Sequence, residues 1–247
     1  MEFDIKTYGL IGKELNHSFS PSYFEEKFAI EGSDDCQYLP FPLKRVEDFV
    51  DLISDYSLNG LNVTIPYKQS IIPFLDELTN AAKSIQAVNC VSFKQGKLIG
   101  HNTDVIGFER SLAPLLNTSH SNALVLGSGG AAKAVAFVLK KLQIPYNFVS
   151  RQEREGFMTY EGIKSCLEEF PLIINATPVG TYPAIEDCPL SSLDGIGKDH
   201  LIYDLIYNPD NTKLLVQAAH RGATVKSGLE MLKIQAEESW KIWTVSQ

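Results

Sequence analysis

The chain has 247 residues, 44% of them apolar and 21% charged, with a formal net charge of −8. Such a composition supports a buried core, excludes a largely disordered chain, and gives the wrong sign of charge for a surface that holds nucleic acid through its phosphates. The four cysteines, Cys36, Cys90, Cys166 and Cys188, are widely spaced; they read as reduced thiols of a cytoplasmic protein, not as a disulfide framework or a zinc site. No stretch approaches the roughly 20 apolar residues of a membrane span. The charged start, Met1 to Lys6, has no apolar run behind it and does not read as a signal peptide.

In chain order, Thr7–Ile11 is short and apolar and predicts a strand. A helix is expected from Pro21, with Ser20 as its cap, because proline suits the first helical turn. Gln37–Phe41 predicts a strand, and Val46–Tyr56 carries Val46, Phe49, Val50 and Ile53 at helical spacing. Gly60–Ile65 predicts a strand, after which Pro66 opens a helix. Ala87–Phe93 and Lys97–Gly100 flank Gln95-Gly96, the signature of a tight hairpin. A helix after Asp104 places Val105, Phe108, Leu112 and Leu115 on one face. Strands follow at Ala123–Leu126, Tyr146–Val149, Leu172–Ile174, His200–Leu205 and Ala223–Lys226, with a helix over Ala131–Leu142. From Leu229 a last helix aligns Leu232, Ala236, Trp240 and Trp243, a stripe too apolar to stay uncovered. The alternation of strand and helix implies an α/β fold with parallel sheets and right-handed crossovers. Crossings between two halves are expected near Asn102–Asp104 and Ser227-Gly228.

Gly127-Ser128-Gly129-Gly130-Ala131-Ala132 follows an apolar strand and opens a helix. This is the GxGxxA form of the dinucleotide fingerprint: Gly127 permits the tight turn, Gly129 lets a pyrophosphate approach the backbone, and Ala132 allows close helix–sheet packing. The helix N-terminus supplies N–H groups and the positive end of the dipole. A glycine turn that holds nothing is the plainer alternative. The next strand ends at Ser150-Arg151, where an NAD site would carry a carboxylate for the ribose hydroxyl. Arg151 and Arg154 instead suit the 2′-phosphate of NADP, while Glu153 between them keeps NAD open.

Four polar groups interrupt the apolar first half: His17-Ser18-Phe19-Ser20-Pro21, Asn62 to Lys68, Val88-Asn89 and Asn102-Thr103-Asp104. Each lies at a strand end or a helix start, where open α/β folds bind ligands. Their hydroxyls, amides, lysine and carboxylate suit a small polyhydroxylated molecule. Taken singly, each residue has a structural explanation as a helix cap, a strand-end partner or a solvated lysine.

Together these motifs, with Asn175-Ala176-Thr177-Pro178 and Gly228-Leu229-Glu230-Met231-Leu232 followed by Gln235, closely resemble the shikimate dehydrogenase family, in the family's order over nearly the whole chain. The resemblance implies an N-terminal α/β substrate domain and a C-terminal Rossmann-type domain with a doubly wound parallel sheet. The expected bounds are 1–103, to which the helix 229–247 returns, and 104–228. It implies reversible reduction of 3-dehydroshikimate to shikimate by NADPH, a step of aromatic amino-acid synthesis. Lys68 and Asp104 would be the catalytic pair. Ser18 and Ser20, with Tyr207, would hold the substrate carboxylate, and Thr64, Asn89 and Gln235 its ring hydroxyls. Gly127, Ser128, Gly129, Gly130, Ala131, Ser150, Arg151 and Arg154 would bind NADP, with Asn175, Ala176, Thr177 and Gly228 at the nicotinamide end. No metal, membrane or nucleic acid is implied, and monomer and homodimer both remain open. Cys90, Glu230 and Ser150-Arg151-Gln152 depart from the family pattern. Alternatives are an NAD-preferring quinate/shikimate dehydrogenase, a folate-linked dehydrogenase of similar plan, and a non-catalytic nucleotide- or polyol-binding protein.

Overall fold

The structure, a computed structural model, describes residues 5–16 and 18–245; His17 and the first four residues, on which the signal-peptide expectation rests, lie outside that description. The chain forms two compact units. One runs as far as Thr103 and resumes at Ala236; the other is Asp104–Gln235.

The first unit contains β1 (Lys6–Gly12), α1 (Phe19–Glu31), β2 (Cys36–Pro42), α2 (Phe49–Asp55), β3 (Leu58–Val63), α3 (Tyr67–Ser70), β4 (Glu77–Leu78), α4 (Asn80–Ile85), β5 (Cys90–Lys94) and β6 (Lys97–His101). Its sheet has the order β2-β1-β3-β5-β6-β4. Strands β2, β1 and β3 are parallel, but β5 is antiparallel to both β3 and β6. The expected hairpin is present, and it makes the sheet of this unit mixed. Gln95 and Gly96 both take positive φ, 51° and 78°, which gives the turn the hand that a two-residue hairpin needs.

Helix α1 starts two residues before Pro21. Ser18, not Ser20, is the N-cap residue, and its side chain makes no capping bond. Proline is tolerated throughout the first turn, because those N–H groups lack intrahelical partners anyway, so Pro21 marks the start only loosely. Successive strand residues face opposite sides of the sheet. Leu10 and Cys90 thus join Tyr8, Phe24, Phe28, Tyr38, Ala236 and Trp243 on one face. Ile11 and Val91 join Phe49, Leu52, Leu61, Val63 and Ile71 on the other.

The second unit contains α5 (Asp104–Leu112), β7 (Ala123–Leu126), α6 (Gly130–Lys141), β8 (Tyr146–Ser150), β9 (Phe157–Thr159), β10 (Leu172–Asn175), β11 (Leu201–Asp204), α7 (Lys213–His220) and β12 (Thr224–Lys226). Its strands run β12-β11-β10-β7-β8-β9, and every pair is parallel. This is the doubly wound order. The chain winds outward in both directions from β7, so a crevice opens beyond the carboxyl ends of β7 and β10, the usual ligand position. All residues of β7, β10 and β11 are buried, as befits strands covered on both faces.

The final helix, α8 (Leu229–Thr244), is shared between the units. Its most buried positions are Met231, Gln235, Ala236, Ser239 and Trp243, whereas Leu232 and Trp240 of the expected stripe are half-buried. The first turns lie on α5, where a side chain at Gly107 would come within 2.6 Å of the Met231 carbonyl. The helix therefore rejoins the first unit at Ala236, later than the expected 229. There Trp243 stacks on Tyr8 at 5.2 Å and donates from Nε1 to the Val91 carbonyl at 3.0 Å. Gly60 makes room for the indole: a Cβ there would lie 2.4 Å from the ring.

Candidate active site

In the first unit the polar segments share one edge of the sheet. Thr64 follows β3, Asn89 precedes the antiparallel β5, and Asn102-Thr103 follow β6, so topology brings all three to the same end. Hydrogen bonds lock them. The Asn102 side chain donates to the Ala87 carbonyl at 3.0 Å, and the Val88 N–H donates to the Lys68 carbonyl at 2.7 Å. Lys68 is thereby fixed through its backbone to the segment that carries Asn89 into β5. The Asn89 carboxamide accepts from the Thr103 N–H at 2.7 Å and donates to the Thr103 hydroxyl at 3.0 Å.

Behind this edge runs a buried polar chain. Ser20 hydrogen-bonds Tyr38, whose phenol donates to Asn62 Oδ1 at 2.9 Å. Asn62 Nδ2 donates to the Asn89 carbonyl at 3.1 Å and to Ser239 Oγ at 3.0 Å. The two hydroxyls of Ser239 and Thr103 are 3.2 Å apart. Burial holds the Tyr38 phenol well above its ordinary pKa and pushes the Cys90 thiol up to about 12, so both stay neutral, and Tyr38 keeps the proton it donates. Ser18 is half-buried at the head of α1 and lines a surface cavity with Lys13, Glu14 and Pro42. Ser20, by contrast, is buried and belongs to the polar chain. Thr64 is half-buried, with its N–H bonded to the Ile11 carbonyl at 2.9 Å.

In the second unit, Asp104 is the first residue of α5 and is buried. Tyr207 is half-buried beyond β11, and Gln235 is buried on α8. The glycine loop forms a cradle of backbone. Gly127 has φ of 106°, a conformation that disfavours any side chain, and its Cβ position lies 3.0 Å from the Thr177 methyl. Gly129 is the N-cap residue of α6, and a Cβ there would meet no atom within 4 Å. Packing does not require glycine at 129; the open space above the first turn of α6 is what fits a pyrophosphate approaching backbone N–H groups. Ser128 and Gly129 are exposed, Gly130 and Ala131 half-buried, and Ala132 fully buried against the sheet.

Arg151 and Arg154 are exposed beyond β8. The Arg154 guanidinium lies 4.8 Å from the centre of the Phe157 ring, a stacking that orients its planar fork. Ser150 Oγ accepts from the Gln152 N–H at 3.3 Å. Ala176 donates its N–H to the Leu126 carbonyl at 2.9 Å, placing the loop after β10 beside the glycine turn. Gly228 is buried, with a Cβ position only 2.1 Å from the Leu205 carbonyl. The expectation for Asn175 needs correction. Its side chain does not line the crevice: it is fully buried, accepting from the Thr177 N–H and hydroxyl at 3.0 and 2.6 Å and donating to Asp204 at 3.0 Å.

Sequence reasoning missed two residues, Ser239 and Asp204. Ser239 sits one helical turn from Gln235, so a polar pair within an otherwise apolar helical face was its signal. Asp204 closes the apolar run Leu201-Ile202-Tyr203, and a carboxylate at the end of a buried strand was the corresponding clue. Among the described residues, no three His, Cys, Asp or Glu side chains gather as metal ligands, and no helix is long and apolar enough to cross a membrane.

Comparison with known proteins bears on both units. Residues 10–91 match the family model described as the shikimate dehydrogenase substrate binding domain. A shikimate dehydrogenase (NADP(+)) of Staphylococcus haemolyticus is 37% identical, over 97% of this chain and 93% of that protein. Among solved structures, a shikimate dehydrogenase in complex with NADP+ superposes with a TM-score of 0.87 at 34% identity, over 98% of this chain and 90% of the other. The quinate dehydrogenase of Corynebacterium glutamicum in complex with NAD also reaches 0.87, at 28% identity over 98% and 94%.

Proposed function

The chain belongs to the shikimate dehydrogenase family, and from that premise we propose that it catalyses the reversible NADPH-dependent reduction of 3-dehydroshikimate to shikimate. The observation that carries this reading is the cradle at Gly127–Gly129: one glycine is demanded by backbone conformation, while the other leaves open space over a helix N-terminus. The bound dinucleotide would supply hydride to the substrate carbonyl carbon. Gly127, Ser128, Gly129, Gly130 and Ala131 would hold its pyrophosphate. Arg151 and Arg154 would pair with the 2′-phosphate, and Ser150 would leave room for it. Ala176, Thr177 and Gly228 would border the nicotinamide end, with Asn175 supporting Thr177 from behind.

As hydride arrives at carbon, negative charge grows on the carbonyl oxygen. A donor placed there stabilises the transition state and completes the alcohol. Lys68 would be that donor, its amine N–H groups directed at the growing oxyanion. Asp104 would orient it. Ser18, with Tyr207 and through the Ser20 network, would hold the carboxylate, and Thr64, Asn89 and Gln235 would select the ring hydroxyls. Each chain carries both sets of residues, so turnover per chain should be the same in a monomer and a homodimer. Aromatic amino-acid synthesis in the cytoplasm is the setting that fits this reaction and four free thiols.

A second reading, an NAD-preferring quinate/shikimate dehydrogenase, is supported by the likeness to the NAD complex and by Glu153. Initial rates with shikimate and quinate, each on NADP+ and NAD+, separate the two. The first reading expects the shikimate–NADP+ pair to be fastest. Quinate with NAD+ fastest would favour the second, and no absorbance change with any pair would overturn both.

A further inference from the structure

A single buried carboxylate ties together three segments of the second unit. Asp204, at the end of β11, is fully buried. Its Oδ1 accepts from Asn175 Nδ2 at 3.0 Å and from the Ile206 N–H at 3.0 Å, and its Oδ2 accepts from the Thr212 hydroxyl at 2.7 Å. The donor roles are fixed by what each partner does elsewhere. Asn175 Oδ1 is taken up by Thr177, so the amide nitrogen must face Asp204. Thr212 Oγ1 accepts from the Leu215 N–H as the N-cap of α7, so its own proton is directed at the carboxylate.

Such an arrangement carries a cost in stability. Burial pushes the Asp204 carboxyl up to about 6, even with three donors aimed at it. A buried charge that fold stability does not favour is commonly held for another reason. The chain of contacts indicates that reason. Asn175 relays Asp204 to Thr177, and Thr177 and Ala176 are the residues that close over the glycine turn: a Cβ on Gly127 would lie 3.0 Å from the Thr177 methyl and 3.2 Å from the Ala176 carbonyl. On the other side, Ile206 accepts the Gly228 N–H at 3.0 Å, so the same carboxylate steadies the turn before Tyr207.

We propose that Asp204 is a positioning residue for dinucleotide binding, its carboxylate holding the loop from Asn175 to Val179 against the glycine turn without itself touching the dinucleotide. This deepens the reading given above and rests on it.

The test is Asp204→Asn, nearly isosteric but uncharged: its amide oxygen can still serve Asn175 and Ile206, while its NH2 replaces the anionic oxygen to which the Thr212 hydroxyl donates. With shikimate or 3-dehydroshikimate saturating, KM for NADP+ and NADPH should rise about tenfold, the scale of one lost charge-assisted hydrogen bond, while kcat at saturating dinucleotide is retained. Thr212→Val, which removes one donor and keeps the charge, should give a smaller rise in the same parameter. A fall in kcat at unchanged KM would mean a smaller folded fraction and would overturn the proposal, as would wild-type values of both. Hydrogen exchange on the dinucleotide-free chain separates this claim from the functional reading. Asp204→Asn should speed exchange at the Thr177 and Ile206 amides and leave β7 and β8 unchanged; no acceleration at either amide would overturn the proposal even if the wild-type enzyme turns over as expected. A wild-type chain inactive on every substrate pair would defeat the functional reading, whatever the exchange result.

Discussion

The two units build their candidate sites from opposite materials. In the first, side chains make the site: Asn62, Asn89, Thr103 and Ser239 hydrogen-bond one another along a sheet edge, and the final helix must return for the chain of bonds to close. In the second, the backbone makes it: Gly127 turns the chain, Gly129 leaves space over α6, and polar side chains such as Asn175 and Asp204 stand behind the loops. Recognition of a ring bearing hydroxyls needs individually placed donors and acceptors, whereas a pyrophosphate needs N–H groups at close approach. Substitutions should therefore act through lost partners in the first unit and through added atoms in the second.

The largest expected effect tests the chemistry assigned to the first unit. Lys68→Ala should lower turnover by about 10²- to 10⁴-fold, the range for removing a positioned general acid, in a spectrophotometric assay with NADPH. Near-normal turnover would remove Lys68 from the mechanism. Next comes the closing helix. Trp243→Ala should destabilise the protein by about 3–5 kcal/mol, because the indole is almost fully buried and bonded to Val91; chemical unfolding measures it. A much smaller loss would mean that α8 is not what closes the polar chain.

The third prediction separates the units by pH. Burial raises the Asp204 carboxyl from its ordinary 3.8 to about 6, a displacement worth roughly 3 kcal/mol. Between those values the native state keeps a proton that the unfolded chain has released. The Asp204 contribution is therefore fully present below pH 3.8, is lost as pH rises through about 6, and is flat above that. His101, bonded to Ser92 in the first unit, runs the other way: burial lowers it from 6.5 to about 4, so its contribution is lost as pH falls through that window. Urea unfolding of wild type and Asp204→Asn across this range should differ in slope, the variant lacking the decline towards neutrality. Parallel curves would show that Asp204 does not titrate there.

The smallest effect is the sharpest on the backbone cradle. Gly129→Ala should cost only about 0.5–1 kcal/mol, since alanine is a poorer N-cap than glycine but would meet no atom there, yet weaken NADPH binding, because the added methyl enters the open space. Gly127→Ala should lose both, since its positive φ penalises any side chain.

How much of this was legible in the sequence follows the same division. The glycine turn, the hairpin at Gln95-Gly96 and the apolar strands of the second unit could be read because backbone demands leave residue-type signatures. The polar groups of the first half could be noticed but not connected: Asn62 meets Ser239 across 177 positions of sequence, a distance no local pattern spans. Strand β9, three half-buried residues at the sheet edge, and α7, barely two turns long, are too short for periodicity to show. Pro21 misplaced the start of α1 because proline is tolerated at several positions of a first turn. Asp204 left only the faint mark of a carboxylate ending an apolar strand, for another reason. Its role lies in the partners that converge on it, and those come from three separate segments.

The division of labour between the units is tested most directly by titrating NADPH into Lys68→Ala. Wild-type affinity for NADPH is expected in a variant that has lost nearly all turnover. A loss of NADPH affinity as large as the loss of turnover would contradict it, since Lys68 would then serve dinucleotide binding and not the carbonyl oxygen.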